Sequence, residues 1–325
     1  MRESKTISSC EAFLSSWSSA GTSIYNSTRF LKDDLTLVEV MGYTGHAFRI
    51  NINAADVDVA GPTGYDWGSF FSKGLKNIGF TCQSVRTDHH TPPTPNELKE
   101  ALSLVQTSID KGVPVITWDL FIPEFGNIYG YDDEKRELMG KDPNGDGPLA
   151  YEKLGRGQVN ELFVMTLDEP FEVDQKTMLK GALELAIDHA YQNEHANETP
   201  PYQNGLVGYD AWIQAFEKGE VSDFGNAYNA VVVYDARKFA AQFFRKIEEE
   251  WLDHDVVKSL AGQVAQEYQK VADHLGELVY LFPFPHGGDP NNPKNAQFAI
   301  EQLKQAKKYE TQATEGLEKM KEVLS

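Results

Sequence analysis

Cysteine is nearly missing from this chain: two in 325 residues, Cys10 and Cys82, too few for a disulfide framework. No stretch approaches the roughly 20 consecutive apolar residues of a membrane helix. The opening residues MRESKTISSCEAFLSSW hold one early Arg and many serines but no apolar core of a signal peptide. Positive charge is also scarce, with 30 Lys+Arg against 49 Asp+Glu and a net charge of −19. Phosphate backbones and anionic lipid are recognised by clustered basic residues, so neither nucleic acid nor a membrane is an expected partner. There is no GxSxG elbow, phosphate loop, GxGxxG, HExxH or Cys-x-x-Cys. Common serine hydrolases, P-loop enzymes, dinucleotide binders and the usual zinc sites are thereby set aside. What is present, 41% hydrophobic and 24% charged residues, specifies a folded globular protein, and the length calls for two domains. The expected location is the cytoplasm.

The two halves follow different patterns, divided near residue 170. In 1–170, DWGSFFSKGLKN (66–77) places Trp67, Phe70, Phe71 and Leu75 near helical spacing, then turns at Gly79 into the extended FTCQSVRT. A Pro-rich start opens a second helix over 91–110, with Leu98, Leu102 and Val105 on one face. Val113–Trp118 is apolar and β-branched, a buried strand with its proline at the start. Two further strands join across Asp132-Asp133-Glu134-Lys135, and Glu161–Leu167 adds another, an α+β layout. Over 171–325 the periodicity is helical, in four or five long amphipathic segments separated by NETPPYQNG and FPFPHGGDPNNPK. That grammar specifies an all-α helical bundle.

Few segments carry chemistry on their own. Asp142-x-Asn144-x-Asp146-Gly147 matches the first half of a calcium loop, with oxygen ligands at positions 1, 3 and 5 and Gly at 6. Position 12 is Lys153 instead of the bidentate Glu, and the same residues are ordinary turn formers, so calcium is kept only as a candidate cofactor. The eight histidines, His89-His90 among them, have no metal-motif spacing and read as surface or core residues. Cys10, in Ser8-Ser9-Cys10-Glu11-Ala12, lies where a helix could start and so qualifies as a nucleophile by location; Cys82 sits in an extended, buried segment.

The order of elements carries a resemblance. A helix opens at Ser23–Leu31 after Ala20-Gly21-Thr22, a glycine turn (Met41-Gly42-Tyr43-Thr44-Gly45-His46) runs into a strand, and Val113–Trp118 follows. Then come Gly130-Tyr131-Asp132-Asp133 and Asp142-Pro143. This order resembles the papain-like fold of bacteriocin-leader peptidases, and more narrowly the butirosin biosynthesis protein H N-terminal-like family of cysteine-dependent acyltransferases. Members join such a domain to a C-terminal helical one, so the resemblance spans most of the chain. It implies a Cys opening the first helix, a His beginning the strand that ends in Gly-Tyr-Asp-Asp, and an acid orienting that His. Here the matched positions are Ser23, Glu124 and Asp142. A carboxylate is a weak base toward a serine hydroxyl, and two close carboxylates repel.

Three readings follow. The protein is a cysteine-peptidase-like module with its Cys and His replaced, binding a small-molecule or acyl ligand or a partner. Alternatively it is an acyltransferase, amide synthase or amidohydrolase that uses displaced residues such as Cys10 with His46 or His89, or Glu124 and Asp142 do acid/base or metal-assisted chemistry of another kind. Tyr43, Trp67, Trp118, Phe121 and Tyr129 flank the glycine turn and the strand ends, as candidate ligand contacts or as core. Trp212 and Phe282 are expected to pack the bundle against the first domain.

Overall fold

The computed structural model describes residues 4–8, 16–192, 202–251 and 254–325. In chain order the elements are β1 (Lys5–Thr6), α1 (Ser19–Thr28), α2 (Leu37–Tyr43), β2 (Asn51–Asn53), α3 (Trp67–Asn77), β3 (Cys82–Arg86), α4 (Pro95–Asp110), β4 (Val115–Trp118), β5 (Phe125–Asp132), β6 (Glu137–Lys141), β7 (Asp146–Ala150) and β8 (Phe163–Leu167). They continue as α5 (Gln175–Ala190), β9 (Tyr202–Asn204), α6 (Leu206–Lys218), α7 (Asp223–Glu250), α8 (Asp255–Leu281) and α9 (Pro293–Leu324). A mixed α/β region with an antiparallel sheet is thus followed by a helical region, and no described helix is long and apolar enough to cross a membrane.

The residues cluster into two units, and the first is not one continuous stretch. A sheet unit holds Met1–Val40 and Trp67–Val173; a helical unit holds Met41–Asp66 and Asp174–Ser325. The cut expected near 170 marks where the chain leaves the sheet unit for the last time. An earlier excursion, 41–66, belongs with the helices.

In the sheet unit seven antiparallel strands run β3-β8-β4-β5-β6-β7, with β1 also paired to β5. Register along β5 runs Val115↔Ile128 to Trp118↔Phe125 on one side, and a bulge between Ile128 and Gly130 shifts its pairing with β6. Strands β4 and β8 are buried along their whole length, which explains their unbroken apolar runs. Val115, Ile128 and Val164 pack with Ala101, Val105 and Ile109 of α4. Trp67 and Phe71 of α3 meet Trp118, Phe125 and Phe163 at ring-centroid separations of 4.6–5.7 Å. Helix α4 starts on a full capping box: Thr94 Oγ1 accepts from Glu97 N, and the Glu97 carboxylate accepts from Thr94 N.

Helix α1 breaks the usual amphipathic rule. Its sequence SAGTSIYNST buries Ser19, Thr22, Ser23, Asn26, Ser27 and Thr28. Polar groups in that position need partners, and β5 supplies several: Asn127 Nδ2 donates to Ser23 O and to Ser27 Oγ, both at 3.0 Å, and Asn26 Nδ2 donates to Asn127 Oδ1 at 3.1 Å. The helix is fixed to the sheet by hydrogen bonds where others use apolar contact.

The helical unit is built round a charge. Arg237 of α7 is fully buried and forks onto Glu310 of α9, with Nε donating to Oε2 at 2.7 Å and Nη2 2.6 Å from Oε1. Tyr209 of α6 donates to the same Oε2 at 2.6 Å. The remaining arm, Nη1, donates to the carbonyls of Ala47 at 3.2 Å and Arg49 at 2.9 Å, inside the 41–66 excursion. Burial alone would lower the guanidinium pKa, but the Glu310 charge outweighs it and holds the group protonated. Around this clamp Ile50, Ile52 and Val57 of the excursion pack with Trp212, Phe216, Leu275, Leu278 and Phe282. Trp212 and Phe282 are therefore core residues of the helical unit itself, and Trp212 Nε1 donates to Asn226 Oδ1 at 2.8 Å. Strand β2 pairs with β9, Asn51↔Asn204 to Asn53↔Tyr202, which ties the excursion down a second time. Removing one partner of such a pair leaves the other charge buried alone. Both Arg237→Ala and Glu310→Ala are expected to lose about 3–5 kcal/mol in urea unfolding, while a paired Arg237→Met/Glu310→Leu change loses less than either.

Candidate functional site

The residues nearest to a catalytic arrangement stand where α1 meets β5. Ser18 caps α1, its side chain accepting from Gly21 N at 3.2 Å, so Ser19 is the first helical residue. Ser19 Oγ donates to Glu124 Oε2 at 2.5 Å and accepts from Phe125 N at 3.2 Å. Glu124 is half-buried and immediately precedes β5. The expected partner of Glu124 was Ser23, one turn deeper. Ser23 is fully buried within α1; its carbonyl accepts from Asn127, and its hydroxyl makes no hydrogen bond among the described residues. The helix starts four residues earlier than the sequence suggests because Ser18 caps it and the run Ser19-Ala20-Gly21-Thr22 continues straight into the helical turns. The Ser-Ser-Ala-Gly run was the available signal: several consecutive residues with good N-cap chemistry.

Asp142 acts on Glu124 through the backbone. Its carboxylate is buried and accepts four amide N–H groups: Phe121 at 2.7 Å and Ile122 at 3.0 Å on Oδ2, Asn144 at 2.8 Å and Gly145 at 2.9 Å on Oδ1. The first two amides belong to the loop that delivers Glu124 to β5. The last two, with Asp142 N donating to Gly145 O at 2.9 Å, close the tight turn between β6 and β7. Asp142, Asn144 and Asp146 thus belong to a hairpin turn between β6 and β7. Asp146 accepts from Tyr129 Oη and lies 3.4 Å from Lys141 Nζ, a partner that calcium would not tolerate. Among the described residues no group of three or more His, Cys, Asp or Glu side chains is placed to hold a metal ion.

A second buried acid stands beside this loop. Asp119, in a left-handed backbone conformation with φ of 53°, follows β4, and its amide donates to Glu124 O at 2.9 Å. Its carboxylate accepts from Val159 N at 2.6 Å. Burial pushes its pKa up, the backbone donors oppose this, and the charges of Asp142 and Glu161 add to the rise. Nothing in the sequence pattern distinguishes Asp119 from a surface turn residue.

The other sequence candidates are dispersed. Trp67 and Trp118 are core residues of the sheet unit, and Tyr43 is core in the helical unit, edge-on to Phe243 at 4.8 Å. Phe121 and Tyr129 are half-buried, Phe121 lying against Gly145. His46 belongs to the helical unit and is buried, with Nδ1 2.8 Å from Thr44 Oγ1. Burial first, and the nearby Arg49 second, lower its pKa from 6.5 to about 3, so the ring is neutral. Cys10 and His195 lie outside the described residues. Cys82 is half-buried with Sγ 3.3 Å from Ser72 Oγ; burial raises its thiol pKa, opposite to what a nucleophile needs. No family model matches the chain, and no curated protein matches it.

Two consequences are measurable. An imidazole held neutral in the fold but free to protonate when unfolded stabilises fully above pH 6.5 and loses that stability as pH falls toward 3. His46→Asn is therefore expected to flatten the acid limb: between pH 6.5 and 5 the wild type loses about 2 kcal/mol more than the variant in urea unfolding. For Asp142→Asn, the amide group faces two backbone donors that it cannot accept from, and a loss of about 2–4 kcal/mol is expected by the same method.

Proposed function

We propose that the sheet unit is a papain-like, cysteine-peptidase-related domain whose nucleophile and base positions are held by Ser19 and Glu124. It works as a non-catalytic module for a small-molecule or acyl ligand. The observation that carries this reading is the Ser19–Glu124 hydrogen bond at the junction of α1 and β5. In a cysteine-peptidase-like site the first turn of the central helix presents a thiol and the start of a neighbouring strand presents an imidazole. Here the same two places present a hydroxyl and a carboxylate. A carboxylate has an ordinary pKa near ~4, about two units below imidazole, so it draws a proton from a hydroxyl far less readily. The Phe125 amide, by donating to Ser19 Oγ, further occupies one of the two lone pairs that a nucleophile would use. Asp142 keeps the place of the orienting acid but holds a loop backbone instead of a ring. Phe121, in the loop that delivers Glu124, and Tyr129 of β5 are the half-buried aromatics that remain as ligand contacts.

A second reading, acyl transfer or amide hydrolysis through Ser19, draws on its seat in the first turn of α1, where the helix dipole favours negative charge. Intact-mass measurement after fluorophosphonate treatment separates the two: the unmodified chain is expected, and a single adduct on Ser19 would establish the enzyme. The positional assignment has its own check. Ser19→Cys combined with Glu124→His is expected to alkylate at position 19 about tenfold faster at pH 7 than Ser19→Cys alone, because an imidazolium neighbour lowers a thiol pKa by a unit or more. Equal rates would remove the peptidase-like assignment.

A further inference from the structure

Away from the Ser19–Glu124 pair, and independently of its reading, the loop between β3 and α4 presents two adjacent imidazoles in an organised form. Consecutive side chains on extended backbone point to opposite sides. His90 instead adopts a left-handed conformation, φ 57°, and its ring lies 3.9 Å from that of His89, centroid to centroid, tilted by 48°. The loop that carries them is pinned at both ends. Thr87 N donates to Leu162 O at 3.0 Å, Leu162 N donates to Thr87 Oγ1 at 2.9 Å, and Thr91 N donates to Asp88 O at 3.0 Å. Thr87 Oγ1 also donates to Thr91 O at 2.6 Å, closing the loop on itself.

Beneath the exposed ring lies a buried acid. Glu161 is 8% exposed, and its Oε2 is 2.8 Å from His89 Nδ1, whereas the His89 side chain is 71% exposed. A carboxylate accepts, so Nδ1 carries the proton, and Nε2 is the nitrogen left for a ligand. That carboxylate–imidazole pairing is the one found behind metal-ligating histidines, where it fixes the tautomer and the ring plane.

We propose that His89 and His90, backed by Glu161, form a two-imidazole site for a borderline divalent transition-metal cation, of the Ni2+, Cu2+ or Zn2+ class. Imidazole nitrogens select these ions over Mg2+ and Ca2+, which want oxygen. With two protein ligands the remaining coordination positions are open to water or to a ligand's donor atoms.

The test is calorimetric titration of the untagged full-length chain with NiCl2 at pH 7.5. Saturable binding at one site is expected, lost in His90→Ala and in His89→Ala. The deciding variant is Glu161→Gln, in which both imidazoles remain but lose their carboxylate, and affinity should fall tenfold or more. Far-UV circular dichroism establishes that each variant is folded; for Glu161→Gln, a buried site, a thermal melt accompanies the titration. Absence of saturable binding in the wild type overturns the proposal, as does unchanged binding in either alanine variant. Equal affinity of folded Glu161→Gln and wild type also overturns it, because exposed imidazoles alone would then suffice. If Glu161→Gln fails to fold, Glu161→Asp, which draws the carboxylate back by one methylene, takes its place with the same two outcomes.

Discussion

Arg237 is the residue on which the helical unit turns. A guanidinium brought wholly out of water is tolerable only when its charge is paired and it finds acceptors; here these are the Glu310 carboxylate of α9 and two carbonyls of the 41–66 excursion, and Tyr209 of α6 donates to the same carboxylate. Apolar packing could hold the helices together in several registers. A forked pair with two further backbone acceptors permits one. The clamp therefore decides less how stable the unit is than which arrangement of it exists, and it does so by fixing a segment distant in sequence. The ring of Phe243 leaves no room for a side chain at Gly42, where an added Cβ would stand 2.2 Å from Cδ2, so the same excursion is also held by shape.

In the sheet unit the equivalent ordering role falls to polar groups at the α1–β5 contact. Asn127 bridges Ser23, Ser27 and Asn26, and Ser19 reaches Glu124 at one end of the same seam. Buried hydrogen bonds are directional, so they set the angle and the axial position of α1 where an oily interface would let it slide. Whatever Ser19 and Glu124 do, their separation depends on this seam and on the Phe121 and Ile122 amides held by Asp142.

Much of this was legible in the sequence where one physical signal dominated. The apolar spacing of Trp67, Phe71 and Leu75 marks α3; the unbroken run Val115–Trp118 marks a strand covered on both faces; and the charged Asp132–Lys135 turn marks the β5–β6 hairpin. The long helices α7, α8 and α9 follow from periodicity alone. Helix α1 was harder because most of the residues it buries are polar, and its start was read at Ser23 instead of Ser19. Met41–Tyr43 reads as a glycine turn but ends a helix, α2. The Asp142–Gly147 loop shows the opposite difficulty. Asp, Asn and Gly at that spacing serve a metal or a tight turn equally well; in the structure they form the β6–β7 turn, with four amides on Asp142. The 41–66 excursion was not legible at all, since neither the Arg237–carbonyl clamp nor the three-residue β2–β9 pairing leaves a periodic trace.

That excursion has a consequence for how the chain is made. On a ribosome, residues 41–66 emerge well before Arg237 and Glu310 exist, and the strand that pairs with β2 lies about 150 residues downstream. Ile50, Ile52 and Val57 must wait, exposed, through the synthesis of the entire sheet unit. A nascent chain stopped near residue 173 would hold a complete sheet with an unsheltered apolar loop protruding from it. Such a loop is what a chaperone grips, and it dates the moment of risk in the protein's assembly: after the sheet is finished, before α9 arrives.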